Sequence, residues 1–197
     1  MNANLAALLL SAFASDALAQ AAASDALTPK SWRPVSYADL QLPSPATQSF
    51  ADIWADAIVA NNAAYLKRGD VRFQAGNAPV TESHAVVRSP SRTAIVSVLN
   101  TASGCKTIAT DAPGHATLKR CPMRVATFDG VHNLVGEAGA GCFIEYAPPP
   151  ANASLDPSRN VAVSSYDAET RTIRVGVIFA KKIVDDCQIN VPVPKRP

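Results

Sequence analysis

The sequence predicts an α+β protein, with one amphipathic helix packed on a twisted antiparallel sheet that is stapled by disulfides. Three observations support this prediction. One segment, residues 47–67, repeats its apolar residues with a period of about 3.6. The chain after residue 70 alternates apolar and polar residues instead, as strands with one exposed face do. The chain also contains four cysteines, an even number that can form two disulfides.

The composition is typical of a folded domain with a core. The chain has 197 residues, of which 48% are apolar, and its formal net charge is +2. A chain of this size and apolar content can bury one hydrophobic core. Basic and acidic residues are interspersed, and aromatic residues make up only 6%. These features disfavour a nucleic-acid partner, because proteins that bind nucleic acids carry a basic surface and aromatic side chains that stack on the bases.

Residues 1–19 have the pattern of a secretory signal peptide. Leu5 to Ala14 is an apolar run too short to span a bilayer but long enough for a signal-peptide core. The small-x-small pattern Ala17-Leu18-Ala19 predicts cleavage after Ala19. The leading MNAN carries no Lys or Arg, which is atypical, and the alternative is a buried N-terminal helix. We expect a bacterial protein that is periplasmic or secreted, with no integral membrane segment after cleavage.

The rest of the chain divides into an arm, one domain and a tail. Residues 20–46 are rich in Ala, Ser and Pro, and proline blocks regular strand pairing, so we expect an arm there. Its SWRPVSYADLQL portion keeps enough apolar residues to lie across the domain. Residues 47–191 are expected to form the single α+β domain. Residues 192–197 are expected to form an extended C-terminal tail.

The helix is predicted to run from Thr47 to Lys67. Its apolar residues share one face: Phe50, Ile53, Trp54, Ala57, Ile58 and Tyr65. We expect this face to be buried. Lys67 and Arg68 lie at the carboxyl end, where the helix dipole favours cations, and Gly69 is expected to end the helix. Asn61 and Asn62 lie in the middle of the helix, where we expect a satisfied or solvated polar pair rather than a ligand site.

Two hairpins and several shorter strands are predicted after the helix. The first hairpin, HAVVRSPSRTAIVSVLN, turns at residues 89–91, and the second, NVAVSSYDAETRTIRVGVIF, turns at residues 167–169. CKTIATD, ATLKRCPMRVATFD and CFIEYA are strand candidates between the hairpins. We expect a DAPGH turn and a glycine loop over residues 136–141 to separate these strands.

The four cysteines are expected to form two disulfides, because an oxidising compartment oxidises such sets. Three connectivities are possible. We favour Cys105 with Cys121, since the DAPGH turn between them makes the flanking strands neighbours, and by default Cys142 with Cys187. The competing interpretation is a catalytic Cys142 thiolate, with His132 as its base and the glycine amides as oxyanion donors.

The sequence predicts no metal, no cofactor and no assigned catalytic residue. Its cysteines lack the close pairs of a zinc site, and its three histidines are scattered. Asp129, Glu137 and Glu145 are candidates for the paired carboxylates of a glycosidase, but this region has few aromatic residues for a sugar platform.

Recognition is predicted on the glycine loop, on the DAPGH loop and on a basic cluster formed by Lys119 and Arg120. Loops that are anchored at both ends commonly carry binding residues. The candidate residues are Gly136, Glu137, Gly139, Gly141, His115, Lys119 and Arg120. The alternative role for the basic cluster is a charged strand edge that resists aggregation.

These features predict an exported, non-catalytic protein-binding module, either an envelope assembly factor or an inhibitor or immunity-type protein. Its partner would be another protein of the cell envelope or a secreted hydrolase. The alternative is a small cell-wall hydrolase that uses Cys142 or an acidic pair.

Overall fold

The computed structural model of the protein describes residues 32–68, 76–130, 133–151 and 156–194. The fold belongs to a compact unit that begins at Arg33. Within the described residues it consists of two antiparallel sheets and two helices. The predicted signal peptide, its cleavage site and the first part of the arm lie outside the described residues.

Eleven strands form the two sheets of the described chain. They are β1 (Arg33–Pro34), β2 (Ser36–Asp39), β3 (Thr81–Ser89), β4 (Arg92–Asn100), β5 (Lys106–Asp111), β6 (Ala116–Phe128), β7 (Asn133–Tyr146), β8 (Val161–Asp167), β9 (Thr172–Phe179), β10 (Lys182–Ile183) and β11 (Ile189–Pro192). The larger sheet has the order β2-β3-β4-β6, with β5 and β7 also paired to β6. The smaller sheet has the order β1-β8-β9-β10, with β11 also paired to β9.

Strand β6 organises the larger sheet because it is long enough to pair with three neighbours. Strands β5 and β4 pair with its first and second parts, and β7 pairs along its whole length. Both hairpins predicted from the sequence are confirmed: β3 and β4 turn at residues 90–91, and β8 and β9 turn at residues 168–171.

The prediction of a glycine loop over residues 136–141 is wrong, because this segment lies inside strand β7. Gly139 has a φ of +92°, and the register with β6 shifts beside it, so one residue of β7 bulges out of the ladder. Among the glycines of β7, Gly141 has the closest neighbours, since a Cβ built on it would lie 2.7 Å from Val98 Cγ2. A glycine-rich segment can therefore be a strand when neighbouring side chains approach its backbone closely.

Substitution of Gly141 by valine is expected to destabilise the fold by about 1–3 kcal/mol, because the new side chain would overlap Val98 and Met123. Gly136 is the matched control on the same strand, since a Cβ there meets nothing within 4 Å. We expect Gly136→Val to change the free energy of unfolding by no more than about 0.5 kcal/mol. Urea denaturation of the two variants measures the difference, and equal midpoints would contradict the packing described here.

The apolar residues are buried in three clusters that form two layers of core. Two clusters contain residues of both sheets and therefore lie between them; Met123, Phe143 and Ile173 belong to one, and Leu118 and Phe179 to the other. The third cluster joins the helices to the larger sheet. The prediction of a single sheet is wrong, because the described chain contains two. The helices cover one face of the larger sheet, and the apolar residues on its other face are buried by the second sheet.

The predicted helix is two helices, α1 (Gln48–Ile53) and α2 (Ala55–Lys67), which are separated at Trp54. Trp54 leaves helical geometry with φ −113° and ψ 16°. Its indole is fixed on both sides, since Nε1 donates to Ser97 Oγ at 2.8 Å and the Arg124 guanidinium lies 4.5 Å from the ring centroid. Anchoring the tryptophan to the sheet in this way accounts for the break.

Other parts of the helix prediction agree with the structure. Ile53, Trp54 and Ile58 are buried, as the apolar face predicts. Asn62 is satisfied, because its Nδ2 donates to Asn77 Oδ1 at 2.8 Å and its Oδ1 accepts from the Ala78 amide at 2.7 Å. The prediction of a satisfied or solvated pair holds only in part, since Asn61 is buried and its Oδ1 has no hydrogen-bond partner. Helix α2 ends at Lys67, and Gly69 lies outside the described residues.

The second half of the predicted arm takes part in both sheets. Strand β1 pairs with β8 of the smaller sheet, and β2 pairs with β3 of the larger sheet. Leu40, directly after β2, is completely buried against the helices. The segment 33–40 therefore connects the two layers and places Tyr37 and Asp39 at the edge of the larger sheet. At the other terminus, the last paired strand extends through Pro192.

Both favoured disulfides are present, and they use all four cysteines. Cys105 precedes β5 and bonds to Cys121 of β6, so this disulfide lies within the larger sheet. Cys142 of β7 bonds to Cys187, in the 3-10 turn Asp185–Cys187 before β11, and so links the two sheets. Disulfides of this kind are typical of proteins from an oxidising compartment.

Asp111 forms a second connection between the sheets. Its carboxylate accepts two hydrogen bonds from Arg159, at 2.6 and 2.8 Å, and one from Asn160 Nδ2 at 2.8 Å. Asn160 in turn accepts a bond from the Ala180 amide at 2.8 Å. The hydrogen bonds from Arg159 outweigh burial and lower the pKa of Asp111 to about 2 from its ordinary value of 3.8.

This pKa predicts how Asp111 contributes to acid stability. Because the folded pKa lies below the unfolded value, the contribution is complete above about pH 4–5 and is lost as the pH falls towards 2. We expect Asp111→Asn to lower the urea midpoint at pH 7 and to differ progressively less from the natural protein as the pH falls towards 2. The exposed Asp186→Asn serves as the control. A pH-independent gap between Asp111→Asn and the natural protein would contradict the prediction.

Candidate functional site

The predicted recognition residues do not form one surface. Gly136, Glu137 and Gly139 lie in the exposed first half of β7, whereas Gly141 is buried further along it. His115 ends the turn before β6, with a φ of +46°. Lys119 and Arg120 lie in β6 itself. Of these residues, Lys119 lines the groove that is the best candidate for a binding site.

This aromatic groove has a volume of about 560 Å³ and lies where β2, α2 and the ends of β4, β6 and β7 meet. Its aromatic wall consists of Tyr37, Tyr65, Phe143 and Tyr146. Its polar wall consists of Asp39, Thr81, Asn100, Lys119 and Glu145. A volume of roughly 300–1,000 Å³ with an apolar wall and a few polar groups is typical of ligand sites.

The aromatic wall is held by contacts between its rings. Tyr37 meets Phe143 edge-to-face with centroids 5.5 Å apart, and meets Tyr146 similarly at 6.2 Å. The hydroxyl of Tyr146 donates to the carbonyl of Asn160 at 2.7 Å, which fixes this ring to the segment before β8. Tyr37 and Tyr146 nevertheless keep 41% and 47% of their surface exposed. The wall is therefore rigid and remains open to a ligand.

Three side chains of the polar wall, Asn100, Lys119 and Glu145, form a closed ring of polar contacts. Lys119 Nζ lies 2.7 Å from Glu145 Oε1 and 3.3 Å from Asn100 Oδ1. Asn100 Nδ2 donates to Glu145 Oε1 at 3.1 Å and to Thr81 Oγ1, also at 3.1 Å. The ring places an ammonium group, an amide and a carboxylate side by side. It can therefore donate hydrogen bonds to a ligand and accept them from it.

Three groups of the groove, Glu145, Tyr37 and Tyr146, have shifted pKa values. Burial acts to raise the pKa of Glu145, but hydrogen bonds from Lys119 and Asn100 outweigh it and lower that pKa. Packing around the hydroxyl of Tyr37, with Tyr146 beside it, raises the pKa of Tyr37 although part of the ring is exposed. Burial also raises the pKa of Tyr146. Glu145 is therefore ionised, and both phenols are neutral.

Three of the groups considered for catalysis, Cys142, Glu137 and Glu145, have other roles in the structure. Cys142 is disulfide-bonded and therefore has no thiolate, and His132 lies outside the described residues. Glu137 and Glu145 lie eight positions apart on β7, a distance of roughly 26 Å, whereas paired glycosidase carboxylates are within roughly 10 Å. Each is bonded to a cation, Glu137 to Arg124 and Glu145 to Lys119.

A buried polar chain under the helices includes His84. Ser97 Oγ donates to Glu82 Oε2 at 2.6 Å, and Glu82 Oε1 lies 2.6 Å from His84 Nδ1. Ser97 and Glu82 are completely buried, and Phe50 stacks on the imidazole at 3.9 Å. The Ser97 hydroxyl also accepts from Trp54, so this chain anchors the helices rather than presenting a nucleophile. Within the described residues, no cluster of His, Cys, Asp and Glu is arranged to hold a metal.

Sequence reasoning identified Lys119 and considered Glu145 as an acid, but it missed Asn100 and did not group Tyr37 with Tyr146. The available signals were modest: Asn100 is a polar residue that ends an apolar strand, and Tyr37 is an aromatic residue in a Pro-rich segment. Nothing in the sequence indicates that β2 lies beside the end of β7.

Comparison of the chain with protein-family models, curated proteins and solved structures finds no match. No helix among the described residues is long and apolar enough to cross a membrane. The geometry of the aromatic groove is therefore the main indication of function.

Proposed function

We propose that the protein is an exported, non-catalytic binding module whose aromatic groove takes a segment of a partner protein. The partner is a protein of the cell envelope or a secreted hydrolase. The observation that carries this proposal is the groove itself, in which exposed tyrosines lie opposite the ring of Lys119, Asn100 and Glu145. The leader pattern of residues 1–19 and the two disulfides support export to the periplasm or beyond.

The two walls of the groove match the two needs of a peptide ligand. Tyrosine supplies a large, rigid apolar surface at little entropic cost and is enriched at protein interfaces. A peptide backbone alternates N–H donors with C=O acceptors. The ring of Lys119, Asn100 and Glu145 places hydrogen-bond donors within 3.3 Å of a carboxylate or amide acceptor. A segment lying on the tyrosines can therefore satisfy its backbone groups on the opposite wall.

A peptide selection with two matched tyrosine variants tests this proposal. Peptides are selected from a random library on the mature protein, and the dissociation constant of each is measured for Tyr37→Ala and Tyr166→Ala. These tyrosines are 41% and 39% exposed, but Tyr166 lies in the smaller sheet away from the groove. We expect Tyr37→Ala to weaken binding by about tenfold or more, as central aromatic contacts do, and Tyr166→Ala to leave it unchanged.

Two results would contradict the proposal. Selected peptides that bind both variants as tightly as the natural protein would place the contact surface outside the groove. Release of fragments from peptidoglycan or from the bound peptides would show that the protein is an enzyme.

A further inference from the structure

A second concave site lies at the opposite end of the β3–β4 hairpin. Its volume is about 400 Å³, and its walls include Arg88, Arg92, Arg171 and the ring of Tyr166. Thr81 of the aromatic groove and Ser89 of this site are the two ends of β3, so the sites are roughly 26 Å apart. We call this second concavity the arginine site.

The arginine site is built where the tips of two hairpins meet. Arg88 and Arg92 flank the turn between β3 and β4 of the larger sheet, and Arg171 ends the turn between β8 and β9 of the smaller sheet. The C-terminal segment joins them, since the Val193 amide donates to the Arg171 carbonyl at 2.9 Å. The backbone of both sheets therefore fixes the three arginines relative to each other.

Two of the guanidinium groups converge on one atom. Arg92 Nη1 donates to the Pro194 carbonyl at 2.6 Å, and Arg171 Nη2 reaches the same oxygen at 3.3 Å. Arg92 Nη2 also donates to Thr127 Oγ1 at 2.8 Å, which fixes its orientation. The Pro194 carbonyl is neutral, so it does not offset the repulsion between the two guanidinium charges that it holds close together. An anion bound between them would remove this repulsion.

The charge of the site favours an anion. Its ionised lining residues are three arginines and Asp129, which leaves a net excess of positive charge. Arginine presents a planar fork of donors that matches carboxylate and phosphate oxygens. Ser91 adds a hydroxyl donor at the turn, whereas the Ser89 hydroxyl donates to the Arg92 carbonyl at 3.0 Å. Tyr166, 39% exposed, provides an apolar surface for the group that carries the anion.

Arg171 has a backbone conformation that its residue type rarely adopts. Its φ is +54°, in the left-handed region where glycine or asparagine is usual. A hairpin turn alone would favour either of those residues there. The turn itself therefore does not require an arginine at this position.

We propose that the arginine site binds a phosphate monoester, with the guanidinium groups of Arg88, Arg92 and Arg171 on the phosphate oxygens and Tyr166 against the carrier. Near neutral pH a phosphate monoester carries between one and two negative charges, which matches the excess of arginines over acids. The volume of the site exceeds that of the bare ion, so we expect a carrier such as a sugar or a lipid headgroup. This binding is separate from that of the aromatic groove.

Calorimetry on the mature protein with two soluble probes, inorganic phosphate and a hexose phosphate, tests the site. Co-sedimentation with phosphatidic acid vesicles is the lipid arm, with phosphatidylcholine vesicles as its blank. The test variant is Arg171→Asn, because asparagine accepts the left-handed backbone. The control is Lys181→Asn, which removes another hairpin cation with a positive φ, +66°, outside the arginine site.

We expect Arg171→Asn to weaken phosphate binding about tenfold, as loss of a charge-assisted hydrogen bond does, and Lys181→Asn to leave it unchanged. Tighter binding of the hexose phosphate identifies a sugar carrier, and vesicle binding that Arg171→Asn abolishes identifies a lipid. Equal binding of inorganic and hexose phosphate supports the site but assigns recognition to the phosphate alone.

Two results would overturn the inference: no saturable binding of any probe, or equal losses in Arg171→Asn and Lys181→Asn. The urea midpoint of each variant shows whether it is folded. Tyr37→Ala is expected to bind phosphate normally, so the arginine site and the aromatic groove can fail independently.

Discussion

Replacing Cys142 and Cys187 together by alanine is expected to lower the free energy of unfolding by roughly 4 kcal/mol. The disulfide spans a sequence separation of 45, and constraining a loop of that length removes much of the entropy of the unfolded chain. Both sulfurs are also buried in a cluster that joins the two sheets, so two alanines leave part of that space unfilled. A loss of this size is a large fraction of the stability of an ordinary domain.

Urea denaturation of the double variant under non-reducing conditions measures this effect. The comparison variant is Cys105→Ala with Cys121→Ala, which opens a separation of only 16 within one sheet and is expected to lose roughly 3 kcal/mol. An unfolding free energy within about 1 kcal/mol of the natural protein for the Cys142 and Cys187 variant would contradict the role given to this disulfide.

Substitution of Arg124 by alanine is expected to destabilise the protein by about 2–3 kcal/mol. Its guanidinium bonds to the Ile53 carbonyl at 2.8 Å, to Asp56 at 2.6 and 2.9 Å and to Glu137 at 2.7 Å. Asp56 and Glu137 are largely exposed and can be solvated after the change. The main loss is therefore the contact over the Trp54 ring and the hydrogen bond to the end of α1.

Two control variants test whether geometry or charge carries this effect. Arg124→Lys keeps the charge but cannot reach a carbonyl and two carboxylates at once, so it is expected to recover less than half of the loss. Arg120→Ala removes another arginine of the same strand and is expected to change stability by no more than about 0.5 kcal/mol. Full recovery in Arg124→Lys would contradict the role assigned to the guanidinium geometry.

The elements that sequence reasoning predicted well are those set by local chemistry. Alternating apolar residues and turn residues at 89–91 and 167–169 identified both hairpins, because the pleat and the turn fix them over a short stretch. The favoured disulfide pairs followed from the number of cysteines and the turn between the first two. The apolar face of the helical segment likewise identified the residues that are buried against the larger sheet.

The features that sequence reasoning missed depend on distant parts of the chain. The break at Trp54 follows from its contacts with Ser97 and Arg124, which a helical period does not encode. Residues 136–141 were predicted as a loop because glycine favours turns, yet Gly141 is required by close contact with Val98. The aromatic groove was missed because its walls come from Tyr37, Asn100 and Tyr146, whose proximity results only from the sheet order.

The most direct test of the proposed binding site is the map of amide chemical-shift changes in the isotope-labelled protein when a selected peptide is added. We expect the largest changes around Tyr37, Asn100, Lys119 and Tyr146, with little change around Tyr166 at the arginine site. Shift changes confined to the exposed half of β7 or to the arginine site, with none in the groove, would contradict the account.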